Sequence, residues 1–223
     1  MRSLLVGALA LTALAAPQPQ LVGRSVQRRA IDVYVVGNPS ALHRVLVVGC
    51  IHGNEQAGIP IARALEHVTP PPGVALWIVP EANPDGVAAD TRQNAHGVDL
   101  NRNFPWHWRD LEGVYDSGPR AASEPETNAL MKLIRRVRPT LSIWYHQHLD
   151  AVDVGGKQPA LEYEYGKLVG LPVYRLPRYP GSVVSWENRL LPRSTAFVVE
   201  LPAGRLASAA IARHVRALLA VAR

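Results

Sequence analysis

The sequence predicts a single-domain, layered α/β fold with helices on both faces of the sheet, and three observations carry that reading. Apolar runs of strand length at 44–50, 74–80, 141–145 and 195–201 are nearly continuous, as in strands covered on both sides. Helical segments fall between these runs, the alternation that builds layered α/β domains. The length of 223 residues suits one domain, large enough to bury roughly 70% of the unfolded chain's surface, and leaves no room for a second.

The elements follow in order. Met1-Arg2-Ser3, an apolar core from Leu4 to Leu14 and the small residues around Ala13-Leu14-Ala15 read as a secretory leader over 1–15, cleaved after Ala15. That run is too short to span a bilayer, and no later one is long enough, so an exported protein without stable membrane insertion is expected. Residues 16–29 form a short polar segment, and 30–223 form the single folded domain. Ala30 to Gly37 alternates as a strand does. After the strand 44–50, Asn54 is placed to cap a helix running from Ala57 to His67, which Pro70-Pro71-Pro72-Gly73 ends. Leu130 to Val137 reads as a helix preceded by Ser123-Glu124-Pro125-Glu126, with acids at the end its dipole favours. Leu206 to Val221 is an amphipathic terminal helix. The stretches 85–108 and 176–193, rich in Gly, Pro, Asn and Arg, read as long irregular loops, and loops of that length in a compact domain tend to carry function.

Composition narrows the function. Cys50 is the only cysteine, so no internal disulfide forms, and its apolar strand suggests a packing role rather than a reactive thiol. Lys and Arg outnumber Asp and Glu by 24 to 18, and losing Arg2 with the leader still leaves 23 against 18. Such a chain is attracted to an anionic cell wall. Its arginines are scattered with no recognition motif, so nucleic acid is not an expected partner.

Two apolar runs end in metal-ligand residue types. Val48-Gly49-Cys50-Ile51 leads into His52-Gly53-Asn54-Glu55, and the run from Leu141 ends at His146-Gln147-His148. Catalytic zinc takes three protein ligands, such as two His and one Glu, and keeps a fourth position open. If the two strands lie side by side, their carboxyl ends bring His52, Glu55 and a histidine of the second run together. His146 and His148 compete for the third place, because residues two apart share a strand face. His43, His67, His96, His107 and His214 lack a comparable setting.

Further segments follow in order: Asn83-Pro84-Asp85-Gly86, Thr91-Arg92, Gly97-Val98-Asp99-Leu100-Asn101-Arg102-Asn103-Phe104-Pro105, Ser123-Glu124-Pro125-Glu126-Thr127 and Thr195-Ala196-Phe197-Val198-Val199-Glu200-Leu201. With the two histidine runs, this ordered set over about residues 44 to 202 resembles the zinc carboxypeptidase family, peptidase family M14, and above all its short bacterial members that act on murein. The resemblance implies a mixed, mostly parallel, twisted sheet of about eight strands and one Zn2+ per chain on His52, Glu55 and His146, the ligand directly after its strand. It implies Glu200 as catalytic base, Arg92 as the cation beside the developing oxyanion, and Asn101 with Arg102 as the clamp for a terminal carboxylate. Tyr179 matches the substrate-facing tyrosine, although the loop from Tyr179 to Trp186 is shorter than in the digestive members.

Digestive relatives that prefer basic termini carry an acid in that loop. Gly181-Ser182-Val183-Val184-Ser185 contains none, so lysine or arginine specificity is not expected. Only residues 16–29 separate leader and domain, too few for a globular inhibitory prosegment, and the enzyme is expected to be made active. The expected substrate is a cell-wall peptide in the bacterial envelope, cut between γ-D-glutamate and diaminopimelate. Alternatives are a general secreted carboxypeptidase for apolar termini, an N-acyl-amino-acid deacylase of the succinylglutamate desuccinylase and aspartoacylase type, and an inactive envelope binding protein. The leader and the Ser123 to Thr127 segment speak against the deacylase, and the intact ligand set with Glu200 speaks against the binding protein.

Overall fold

The computed structural model describes residues 17–222, so the leader and its cleavage site lie outside the described residues. The strands are β1 (Gln20–Arg24), β2 (Ala30–Gly37), β3 (His43–Val48), β4 (Val74–Val79), β5 (Leu141–Gln147), β6 (Ala151–Asp153), β7 (Val173–Tyr174) and β8 (Thr195–Leu201). The helices are α1 (Gly58–Leu65), α2 (Pro84–Ala89), α3 (Pro125–Val137), α4 (Pro159–Val169), α5 (Val183–Leu190) and α6 (Ser208–Val221).

One mixed sheet of eight strands has the order β1-β2-β4-β3-β5-β8-β6-β7. Its centre, β4-β3-β5-β8, is parallel; β1 and β2 join antiparallel on one side, and β6 joins β8 antiparallel on the other and pairs with β7 in parallel. The central strands are apolar on both faces because both faces are covered. Leu46, Val48, Trp77, Trp144 and Val198 pack on the side of α3 and α5, whereas Val45, Leu76, Ile143, Phe197 and Val199 pack on the side of α1, α4 and α6. Each such aliphatic side chain, fully buried, contributes about 1.5–3 kcal/mol.

From β3 the chain passes through α1 to β4 on one side, and later through α3 to β5 on the other. Crossovers that diverge in this way leave a crevice at the carboxyl ends of the strands, where ligands of open α/β sheets bind.

Several local expectations are corrected. Residues 16–29, read as a polar lead-in, contribute the edge strand β1, which pairs Gln20 with Val33 and Arg24 with Ala30. Asn54 caps no helix: α1 starts after Ala57, with no side-chain cap, and the Ala57 N–H donates to Gln147 Oε1 at 2.9 Å. Helix α3 begins at Pro125, five residues before the apolar periodicity, since proline loses nothing at a first-turn position whose N–H has no intrahelical partner. Neither long loop is wholly irregular. The first holds α2, capped by the Asn83 side chain accepting from Gly86 N, and a 3-10 turn at Leu100–Arg102; the second holds α5.

Candidate metal centre

Strand register decides which side chains meet. His146 is the Cα partner of Glu200 across the parallel β5 and β8 pair. Alternation places both on the face of Trp144 and Val198, toward α5. His52 stands four residues beyond the end of β3, in a turn closed by the Glu55 N–H donating to the His52 carbonyl at 2.9 Å. His148 does not continue the strand face, because β5 ends at Gln147, and its side chain is exposed.

His52, Glu55 and His146 are all buried, and their ligand atoms lie within 4.8 Å of one another. His146 Nδ1 is 3.1 Å from His52 Nδ1 and 2.9 Å from Glu55 Oε2, and His52 Nδ1 is 2.9 Å from Glu55 Oε1. Two ring nitrogens facing each other at that distance, beside a carboxylate, need a proton or a cation between them. Tetrahedral zinc with bonds of about 2.1 Å separates its ligand atoms by about 3.4 Å, and two imidazoles with one carboxylate are a donor set it accepts. The residues therefore fit a single zinc ion.

Asp99 organises what surrounds this group and was named in the sequence only as part of a motif. It is fully buried, and its Oδ1 lies 3.1 Å from His52 Nε2, which leaves Nδ1 as the inward ring atom. Asp99 also accepts from the Asn101 backbone N–H at 2.9 Å and from Arg92 Nε at 2.9 Å. Burial pushes the pKa values of Asp99 and Glu55 up, but the neighbouring His52, with Arg92 for Asp99 and His146 for Glu55, outweighs it and holds both carboxyls well below the usual range. Burial lowers the His52 pKa, and the charges of Asp99 and Glu55 more than reverse that. The group is thus negative enough to favour a cation. Arg92 completes it, donating from Nη1 to Glu55 Oε1 at 3.0 Å.

His52, Glu55, His146 and Arg92 line a cavity of about 250 Å³ whose lining also includes Glu200, Asn101, Arg102 and Tyr179. Glu200 Oε2 is buried with no hydrogen-bond partner. Burial raises its pKa, which nearby His146 opposes. Asn101 Oδ1 accepts from the Val183 N–H at 2.9 Å, so its amide N–H2 remains as the donor group. The buried Arg102 guanidinium lies 4.4 Å from the Tyr179 ring centre and 5.4 Å from that of Tyr115, an aromatic residue the sequence reading passed over. The segment carrying Tyr179 is held close by Gly181, whose φ of +67° suits glycine and where a Cβ would come within 1.9 Å of the Arg102 carbonyl oxygen.

The loop 181–185 brings no acid to the cavity, but the fold supplies one from elsewhere. Asp153, at the end of β6, lines the cavity and is paired with Arg178 at 2.5 Å. It comes from a strand some thirty residues before that loop. Cys50 is buried with its thiol donating to the His52 carbonyl at 2.9 Å, and burial pushes the thiol's pKa far up, as a packing role requires. Among the described residues no helix is long and apolar enough to cross a membrane.

Comparison with known proteins agrees with this geometry. The zinc carboxypeptidase family model matches residues 73–154. Murein peptide amidase A of Vibrio campbellii is 30% identical over 220 residues, covering 91% of this chain and 86% of that protein. Murein peptide amidase A of Escherichia coli K12 is 33% identical over 161 residues, and the match spans only 64% of that protein's length. Among solved structures, the murein-tripeptide amidase of Escherichia coli O157 superposes with a TM-score of 0.78 at 26% identity, covering 93% of this chain and 92% of that one. Carboxypeptidase A of Helicoverpa armigera reaches the same TM-score at 18% identity, a likeness of fold alone. A sheet whose central carboxyl ends carry two histidines and a glutamate, and a relative aligned over nearly the whole chain, lead to one conclusion: this chain belongs to the zinc carboxypeptidase family.

Proposed function

We propose that this protein is an exported zinc carboxypeptidase that hydrolyses the bond before a C-terminal residue with a free carboxylate, in murein peptides between γ-D-glutamate and diaminopimelate. The observation that carries the reading is the shared cavity: the three convergent ligand residues, the unpartnered Glu200 carboxylate oxygen and the Asn101 and Arg102 donors all line it. The leader read at 1–15 supports export, and the names of the murein amidase relatives support the substrate.

His52, Glu55 and His146 would hold zinc, which when bound supplies Lewis acidity to polarise a carbonyl and to make a water molecule acidic near neutral pH. Glu200 takes the proton of the attacking water on its carboxylate, where burial has already raised its affinity for one. As the new C–O bond forms and the C–N bond breaks, that proton passes to the leaving amine. Arg92, fixed by Asp99 and Glu55, faces the negative charge that develops on the carbonyl oxygen. Asn101 and Arg102 bind the terminal carboxylate, Arg102 through its planar fork. Tyr179 packs its ring against the Arg102 guanidinium and lines the cavity beside it.

A general carboxypeptidase for apolar termini is the second reading, because Val184 and Val198 also line the cavity. The experiment is to incubate purified protein with murein tripeptide, a dipeptide ending in leucine and an N-acetyl amino acid, each with and without a chelator. Chelator-sensitive release of diaminopimelate in preference to leucine supports the murein reading. Preference for leucine supports the second, and cleavage of the acetyl amino acid alone rejects both.

A further inference from the structure

One charge pair that shares the cavity with the carboxylate clamp is not used by the mechanism above. Asp153 is buried, and its Oδ1 accepts the Leu176 N–H at 2.9 Å while Oδ2 accepts from Arg178 Nη1 at 2.5 Å. Arg178 Nη2 also donates to the Val154 carbonyl at 3.1 Å, yet a third of the side chain stays exposed. The guanidinium lies in a seat cleared by Gly155, where a Cβ would stand 1.5 Å from Arg178 Nη2. Both charged groups line the same cavity as Arg102 and Glu200.

We propose that Arg178 and Asp153 form a paired-charge subsite that selects a C-terminal residue whose side chain itself ends in both an ammonium and a carboxylate. A lone cation in this cavity would have to compete with Arg178 for Asp153, and a lone anion with Asp153 for Arg178. An amino-acid head group brings one charge for each. Arg178 has five N–H groups and Asp153 has lone pairs beyond those engaged, so the pair accepts such a group without being broken. Diaminopimelate carries that head group at the far end of its side chain. The inference rests on the proposed function and gives its substrate a physical basis: the terminal carboxylate is read by Arg102 and the distal head group by Arg178 with Asp153.

The test compares three tripeptides of the form L-Ala-γ-D-Glu-X, where X is meso-diaminopimelate, L-lysine, which lacks the distal carboxylate, or L-2-aminopimelate, which lacks the distal ammonium. The parent enzyme should prefer diaminopimelate over each by about tenfold or more in kcat/KM, the worth of one charge-assisted hydrogen bond. Arg178→Gln should bring the diaminopimelate-to-lysine ratio toward one, and Asp153→Asn the diaminopimelate-to-aminopimelate ratio. Parent ratios near one overturn the subsite. So do variants that slow all three peptides equally with ratios intact, because a pair that merely pins the loop gives that pattern. A parent that cleaves none of the three fails the proposed function itself and takes the subsite with it.

Discussion

His52 Nε2 and Asp99 Oδ1 lie 3.1 Å apart in the protein interior, and this contact turns the other ring nitrogen of His52 toward Glu55 and His146. Asp99→Asn should therefore keep the fold but weaken zinc binding about 10–100-fold, the usual effect of losing a carboxylate behind a ligating histidine. Competition titration against a chromogenic chelator measures it, and unchanged affinity would leave Asp99 with a packing role only.

His52→Ala, Glu55→Ala and His146→Ala should each purify without stoichiometric zinc, whereas His148→Ala should retain it. The exposed His148 lies beyond the end of β5 and outside the convergent group. Atomic spectroscopy of the four variants decides between the two histidines of the second run.

What the sequence made legible and what it left hidden differ in a physical way. Strands β3, β4, β5 and β8 are written as apolar runs because the sheet centre is covered on both faces, and their ends expose His52, His146 and Glu200 to any reader of the chain. Strands at and near the edges carry no such signal: β1 is largely exposed, and β6 and β7 have three and two residues. Helix α4 escaped notice because polar residues interrupt its apolar pattern, and α5 because the Gly and Pro around it read as loop. Asp153 reaches the cavity only through the pairing of β6 with β8, a long-range fact that no local pattern records.

Glu187 offers a stability test apart from the metal. It is fully buried in α5, accepts from Ser142 Oγ and from Trp144 Nε1 at 3.2 Å, and burial pushes its pKa up to about 7 from an ordinary 4.5. A carboxyl whose folded pKa is raised binds its proton better in the native state. Its contribution is thus full below pH 4.5 and is lost as pH rises through about 7. His214, lowered to about 4 mainly by burial, acts in the opposite sense between there and 6.5, so the difference between variants is the quantity to read. Melting curves of the parent and of Glu187→Gln should diverge with pH between 4.5 and 7, with the variant gaining relative stability toward pH 7. Parallel curves would show that Glu187 does not titrate there.

Glu200→Gln should bind zinc and substrate nearly as the parent does yet lose at least about a hundredfold in kcat, since the amide keeps the shape and cannot take the proton. Near-parental turnover would make Glu200 structural and require another base.

The most direct measurement concerns Arg102 and the terminal carboxylate. Purified protein is given murein tripeptide with a free diaminopimelate carboxylate and the same peptide amidated at that carboxylate, and kcat/KM is compared for the parent and for Arg102→Ala. The parent should favour the free form by more than an order of magnitude, because the amide leaves the buried guanidinium without its anion at a cost of about 2–5 kcal/mol. Arg102→Ala should lose that preference by slowing on the free peptide. Equal rates of the parent on the two peptides would contradict carboxypeptidase action by this protein.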